Sequence, residues 1–193
     1  MNETTTRSTT LIAFALALLM AATRSHHFAA ALHLPDASWA VFFLAGVYLR
    51  AIWVFPALLA GAAFLDFAAI TWGGVSSFCI SPAYGFLLPA YGALWLAGRW
   101  YARRQRFQLA TLIPLVSSML VGAAVCELFS SGGFYFLSGR FDPSLTEFGT
   151  RLARYLPPSL AAMAFYVALA AIAHAALGAV GERGASLSRP PAP

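Results

Sequence analysis

Two side chains that can do chemistry stand in an otherwise apolar stretch of the sequence. Between Arg50 and Arg99, Asp66 is the only charged residue and Cys79 is the only thiol. An ionisable group within a membrane span is costly and is generally kept for a function. A thiolate is a strong nucleophile and a soft ligand for transition metals. The pair therefore indicates where the function of this chain lies.

The residues that follow Cys79 indicate the start of a helix. Ser81 is a typical N-cap residue, and Pro82 suits the first helical position. A thiol just before a helix N-terminus experiences the positive end of the helix, which favours the thiolate. The alternatives are that Cys79 is a small buried residue and that Asp66 only bonds a neighbouring Ser or Tyr between helices.

Other polar residues are predicted to lie at the same level as Asp66 and Cys79. They are His26, His27, Tyr84 and Glu127. His27 either anchors its segment at the membrane interface or donates to a ligand, and Glu127 either reaches water or faces the same site. Together these residues predict a polar pocket that opens toward the outside of the membrane.

Composition identifies the class of protein. The chain has 193 residues, of which 60% are hydrophobic and 10% charged, and its mean hydropathy is +0.73. A soluble domain of this size needs more charge. All twelve basic residues are Arg, and they lie between apolar segments, so the net charge of +5 does not indicate a nucleic-acid partner. The sequence has no GxxxxGK[ST] motif, so it does not hydrolyse ATP by that route.

Apolar segments of membrane-spanning length predict an all-α bundle of six transmembrane helices. The predicted spans are 9–31, 38–50, 52–72, 81–98, 108–131 and 155–179. Residues 1–181 form a single transmembrane domain in this interpretation, and 182–193, rich in Ser, Pro and Arg, form a disordered cytoplasmic tail. The first segment can also be interpreted as a signal peptide.

The distribution of Arg predicts the orientation. With the N-terminus inside, eight Arg residues face the cytoplasm and four, including Arg24, face outside. Both termini are then cytoplasmic. The long connection from Ser130 to Arg154 contains Gly132 to Phe136, which could form a lid over a ligand or an interfacial belt.

The first segment carries a stripe of small residues, Ala13, Ala17 and Ala21, on one helix face. Six helices, an outward pocket, this stripe and a mass of 20.6 kDa resemble the S-components of energy-coupling-factor (ECF) vitamin transporters. Within that class, the chain resembles the BtuM family of cobalamin transporters. That resemblance rests on the segment Ser77 to Gly85 (SFCISPAYG), on Phe64-Leu65-Asp66 upstream, and on the His26–His27 pair.

The BtuM resemblance implies cobalamin uptake across the bacterial inner membrane. It implies that Cys79 ligates the cobalt of cobalamin and that His27, Asp66 and Tyr84 line the same pocket. Because a thiolate on cobalt would replace an axial ligand, Cys79 is expected to remove cyanide from cyanocobalamin. An ECF-type transmembrane and ATPase module would dock at the alanine stripe, unless the stripe packs against the core of the protein itself.

Three other functions fit the same residues. An S-component for another vitamin, such as a flavin or thiamine, would need no thiol. A membrane acyltransferase would use Cys79, His27 and Asp66 together. A structural or assembly subunit would need none of the four site residues to bind a ligand.

Overall fold

The computed structural model describes residues 3–24, 34–74, 76, 81–104 and 112–187. This part of the chain forms six α-helices and one 3-10 turn. They are α1 (Glu3–Arg24), α2 (Ser38–Tyr48), α3 (Val54–Thr71), the 3-10 turn (Pro82–Phe86), α4 (Leu87–Ala102), α5 (Leu112–Leu137) and α6 (Leu145–Leu187). About 85% of the described residues are helical, and there is no strand among them. The predicted all-α class is confirmed for this part.

Three of these helices are long and apolar enough to cross a membrane: α3, α5 and residues 145–178 of α6. In contrast, α2 has 11 residues and α4 has 16, fewer than the roughly 20 that a perpendicular crossing needs. Large apolar side chains, such as those of Phe64, Ile113 and Ile172, are exposed on the outer faces of the three long helices. These features are those of a membrane protein, and six spans with cytoplasmic termini stay a prediction.

The observed helix ends differ from the predicted spans most clearly at α5 and α6. Residues 132–136 lie within α5, so the prediction that they belong to a long connection is wrong, and the lid alternative is wrong with it. Gly132 and Gly133 read as helix breakers, but Gly133 packs where a Cβ atom would come within 2.7 Å of the Phe86 ring. The glycine therefore serves close packing in the helix rather than a turn.

The connection between α5 and α6 is short, covering residues 138–144, and Gly139 supplies its left-handed backbone with a φ of 69°. At its other end, α6 is helical over 182–187, where the sequence suggested a disordered tail. Residues 188–193 lie outside the described part.

Helix α2 is short and forms part of the core. Eight of its eleven residues are buried, and it crosses α4 at a reciprocal pair of glycines. A Cβ atom at Gly46 would overlap the Trp95 carbonyl oxygen, and one at Gly98 would overlap the Phe43 carbonyl oxygen. Contact between the two backbones holds α4 against α2. The Tyr91 ring of α4 then stacks on Phe42 with centroids 4.3 Å apart and planes 7° apart.

Candidate functional site

A cavity of about 420 Å³ lies at one end of the bundle. Its wall is built where α1, α3 and α5 end and where α2 and α4 begin. Its ionisable and hydroxyl-bearing residues include Arg24, Asp36, Asp66, Tyr84, Ser130 and Ser131. This volume lies within the range of about 300–1,000 Å³ that is typical of small-molecule sites.

The central feature of the wall is a bidentate ion pair between α1 and α3. Arg24 Nε lies 2.7 Å from Asp66 Oδ1, and Arg24 Nη2 lies 2.7 Å from Asp66 Oδ2. The Arg24 side chain is 10% exposed and that of Asp66 is 26% exposed. Parallel N–H···O bonds of this kind fix orientation as well as charge. The carboxylate of Asp66 is therefore compensated and held in one position.

The third guanidinium nitrogen of Arg24 extends the network to two further helices. Nη1 donates to Ser38 Oγ of α2 at 2.9 Å and to Tyr91 Oη of α4 at 2.8 Å. Tyr84 adds a bond from the 3-10 turn, since its hydroxyl donates to Asp66 Oδ2 at 2.7 Å. A single Arg side chain thus ties four helices together at the cavity.

The residues before α2 are fixed by local hydrogen bonds. Asp36 Oδ1 accepts from the backbone N–H of Ser38 at 2.9 Å and from its hydroxyl at 2.7 Å, as Asp side chains do in Asx turns. Thr23 Oγ1 accepts from the backbone N–H of Ala37 at 3.1 Å and so joins α1 to the same segment. The start of α2 is consequently anchored to the end of α1.

The α5 wall contributes hydroxyl groups. Ser130 and Ser131 line the cavity, and Ser131 Oγ donates to Glu127 Oε1 at 2.5 Å. Glu127 is 3% exposed, so it lies one turn behind the wall and orients a lining serine. Cys126 beside it is buried in the core, in keeping with a packing role.

The charges in the described lining favour some ligands over others. Arg24 contributes one positive charge, and Asp36 and Asp66 contribute two negative charges. The ionised lining thus carries a net charge of about −1, which favours a neutral or cationic ligand that donates hydrogen bonds over an anionic one.

Two of the four predicted site residues are described, and the structure brings them together. Asp66 and Tyr84 share a hydrogen bond in the cavity wall. His26, His27 and Cys79 lie outside the described residues. Among the described residues, no group of three or more His, Cys, Asp or Glu side chains is placed to hold a metal ion.

The predicted helix start after Cys79 is confirmed in position but not in capping. Ser81 precedes the 3-10 turn, and Pro82 is its first residue. The Ser81 hydroxyl makes no capping bond, and its buried oxygen has no hydrogen-bond partner within the described residues. The turn, which contains Tyr84, runs directly into α4.

Sequence reasoning missed the central residue of the site. It treated Arg24 as a topology signal on the outer side, whereas the structure pairs it with Asp66. The signal was present: Arg24 falls inside the predicted first span, 9–31, and an acid in an apolar segment needs a compensating partner. A lone cation and a lone acid in two such spans are candidates for an ion pair.

The alanine stripe of α1 lies at the edge of the packed face of the helix. Ala17 is exposed, and Ala13 and Ala21 are partly buried. The core-facing side of α1 is formed instead by Leu16, Met20 and Thr23. The stripe is therefore not the main contact of α1 with the bundle.

No protein-family model matches the sequence, and no curated protein is detectably similar to it. The function is accordingly argued from the site.

Proposed function

We propose that this chain is a bacterial inner-membrane protein that binds cobalamin in the cavity and takes it up into the cell. The observation that carries the proposal is the cavity itself. It is a space with ionisable and hydroxyl groups in its wall at one end of an apolar helical bundle, and two residues expected from the BtuM resemblance, Asp66 and Tyr84, are hydrogen-bonded there.

Described residues on either side of Cys79 in the sequence line this cavity. Ser76, three residues before Cys79, lines the cavity, as do Ala83 and Tyr84 after it. In this proposal Cys79 reaches the cavity, and three residues span at most about 11 Å even when fully extended. His27 likewise follows Arg24, another lining residue, by three positions.

The chemistry of the lining suits the periphery of a corrin. Cobalamin carries neutral amide groups, which donate and accept hydrogen bonds. Carboxylate oxygens of Asp36 and Asp66 can accept from these amides, and the hydroxyls of Ser130 and Ser131 can do either. The net negative lining does not oppose a ligand whose cobalt centre is cationic.

In this proposal the thiolate of Cys79 binds the cobalt of cobalamin as an axial ligand. With cyanocobalamin, the sulfur donates an electron pair to form the Co–S bond, and cyanide leaves with the Co–C electron pair and takes up a proton from water. Cobalt keeps its oxidation state, so the exchange needs neither an oxidant nor a reductant. An ECF-type module docked at Ala13, Ala17 and Ala21 would couple binding to ATP hydrolysis.

The test is the visible absorption spectrum of the purified full-length protein with cyanocobalamin. We expect co-purifying colour and a shifted spectrum in the wild type, and loss of both in Cys79→Ser. Cys126→Ala is the matched control, because it removes the other thiol from the buried face of α5, and its spectrum should follow the wild type. Retention of cyanide on protein-bound cobalamin would exclude the decyanation step.

The competing functions predict other outcomes. If riboflavin or thiamine raises the unfolding temperature and cobalamin does not, the chain serves another vitamin. Acyl transfer by Cys79, His27 and Asp66 would need the Asp66 carboxylate, which already bonds Arg24 through both oxygens, to orient the histidine as well. A covalent thioester on Cys79 without cobalamin binding would nevertheless favour it.

A further inference from the structure

An apolar groove adjoins the candidate site. It has a volume of about 330 Å³ and lies between α3 and α4. The residues Pro56, Leu59, Ala60 and Ala63 form its α3 side. Three side chains, those of Tyr84, Leu87 and Tyr91, line both the groove and the polar cavity. The two spaces are therefore neighbours that share one wall.

The two tyrosines of this shared wall are held to very different degrees. Tyr91 is 5% exposed, stacks on Phe42 and accepts a hydrogen bond from Arg24. Tyr84 is half-buried, sits in the 3-10 turn and bonds Asp66 Oδ2 through its hydroxyl. The next residue, Gly85, has open space around it. Of the two tyrosines, Tyr84 is therefore the one with fewer contacts to break if the cavity and the groove are to be joined.

The size of the proposed ligand calls for such a connection. The described cavity would suit a drug-sized molecule, and cobalamin is considerably larger. The groove nearly doubles the available space. The groove is almost entirely apolar, whereas the cavity wall also holds charged and hydroxyl groups, so the joined site is amphipathic, as is a corrin ring with methyl groups and amide side chains on its edge.

We infer that the Tyr84 side chain separates the cavity from the groove and moves aside when cobalamin binds. An apolar edge of the corrin then occupies the groove between α3 and α4. This inference rests on the proposed function. On binding, the Tyr84 hydroxyl gives up its bond to Asp66, whose carboxylate stays compensated by Arg24. Amide groups of the ligand then take the vacated acceptor position on Asp66 Oδ2.

A matched pair of substitutions on α3 tests the groove. Ala60 and Ala57 are both exposed residues of α3, but Ala60 lines the groove and Ala57 does not. We expect Ala60→Phe to weaken cyanocobalamin binding by tenfold or more, because the new ring fills the groove. Ala57→Phe should bind within twofold of the wild type. Binding is measured by absorbance titration of full-length protein in detergent, with thermal unfolding as the check that each variant is folded.

The outcomes separate this inference from the proposed function. If the wild type does not bind cobalamin, the proposed function fails. If the wild type binds and Ala60→Phe binds equally well, the function stands and the groove inference is overturned. Loss of a co-purified lipid from Ala60→Phe in native mass spectra, with unchanged cobalamin affinity, also overturns it and assigns the groove to an acyl chain. If Ala60→Phe does not fold, Ala63→Leu, which fills the same groove with a smaller side chain, decides between these results.

Discussion

The described part of the chain contains two pairs of Arg and carboxylate side chains that differ in almost every respect except chemistry. Arg24 and Asp66 are 42 positions apart, join α1 to α3, and have side-chain exposures of 10% and 26%. Glu147 and Arg151 are one turn apart on α6, with exposures of 50% and 31%, respectively. Arg151 also lies over the Tyr135 and Phe141 rings, at 5.1 and 4.4 Å from their centroids.

The difference shows how context sets the role of an ion pair. The Glu147–Arg151 pair is local to one helix, and exposed pairs of this kind contribute little to stability. The Arg24–Asp66 pair connects distant segments, and removal of one partner leaves a poorly solvated charge. It also forms a wall of the candidate site. We therefore expect a substitution in the Arg24–Asp66 pair to lower the free energy of unfolding much more than a substitution in the Glu147–Arg151 pair.

The largest effect is expected for Arg24→Gln. The substitution removes both bonds to Asp66 and the bonds to Ser38 and Tyr91, and it leaves the Asp66 carboxylate uncompensated. Removal of one partner from a fully buried pair costs about 3–5 kcal/mol. Because the Asp66 side chain is 26% exposed, we expect the free energy of unfolding to fall by an amount at or below the lower end of this range, about 2–3 kcal/mol. The free energy of unfolding is measured by denaturant titration in detergent, with circular dichroism as the signal.

The double variant Arg24→Gln/Asp66→Asn is the control for this prediction. It removes both charges, so it should be more stable than Arg24→Gln alone. A double variant that is less stable than the single one would show that the uncompensated charge is not the cause of the loss.

An intermediate effect is expected for Tyr84→Phe. This change keeps the ring in the wall and removes the hydroxyl that donates to Asp66 Oδ2 at 2.7 Å. A hydrogen bond to a charged group contributes about 1.5–3 kcal/mol. Arg24 continues to compensate Asp66 and Tyr84 is half-buried, so we expect a loss of about 1 kcal/mol in the same unfolding assay. A loss as large as that of Arg24→Gln would contradict the view that Arg24 dominates the network.

The smallest effect is expected for Glu147→Gln. The Glu147 carboxylate lies 2.9 Å from Arg151 Nη2 and 3.1 Å from the Tyr135 hydroxyl, on the surface of α6. The amide oxygen can still accept from Arg151, the Tyr135 hydroxyl can donate to the Asp142 carbonyl instead, and water solvates Arg151. The unfolding midpoint should be indistinguishable from that of the wild type. A loss comparable to that of Tyr84→Phe would remove the contrast between the two pairs.

The sequence indicated that Asp66 and Tyr84 share a pocket, but it did not indicate which residue compensates the charge of Asp66. Asp66 and Tyr84 were expected in one polar pocket, and both lie in the cavity wall, because an acid in an apolar helix is conspicuous without any knowledge of packing. Arg24 was assigned to the membrane border, because its role depends on a contact with a residue 42 positions away. The spans 108–131 and 155–179 missed the true ends of α5 and α6, since Gly132 and Gly133 suggest a turn when their neighbours, Phe148 and Phe86 respectively, are not known.

Composition and hydropathy by themselves determined that the chain is helical and has membrane-spanning character. The physical reason is local: apolar segments of this length must satisfy their own backbone hydrogen bonds in lipid, and a helix does so within the segment. Only the tertiary structure decided which charges meet, how the short α2 becomes the core of the bundle, and where an apolar groove adjoins the polar cavity. Each of these depends on the distance between segments far apart in the chain, which is set by helix packing rather than by local sequence.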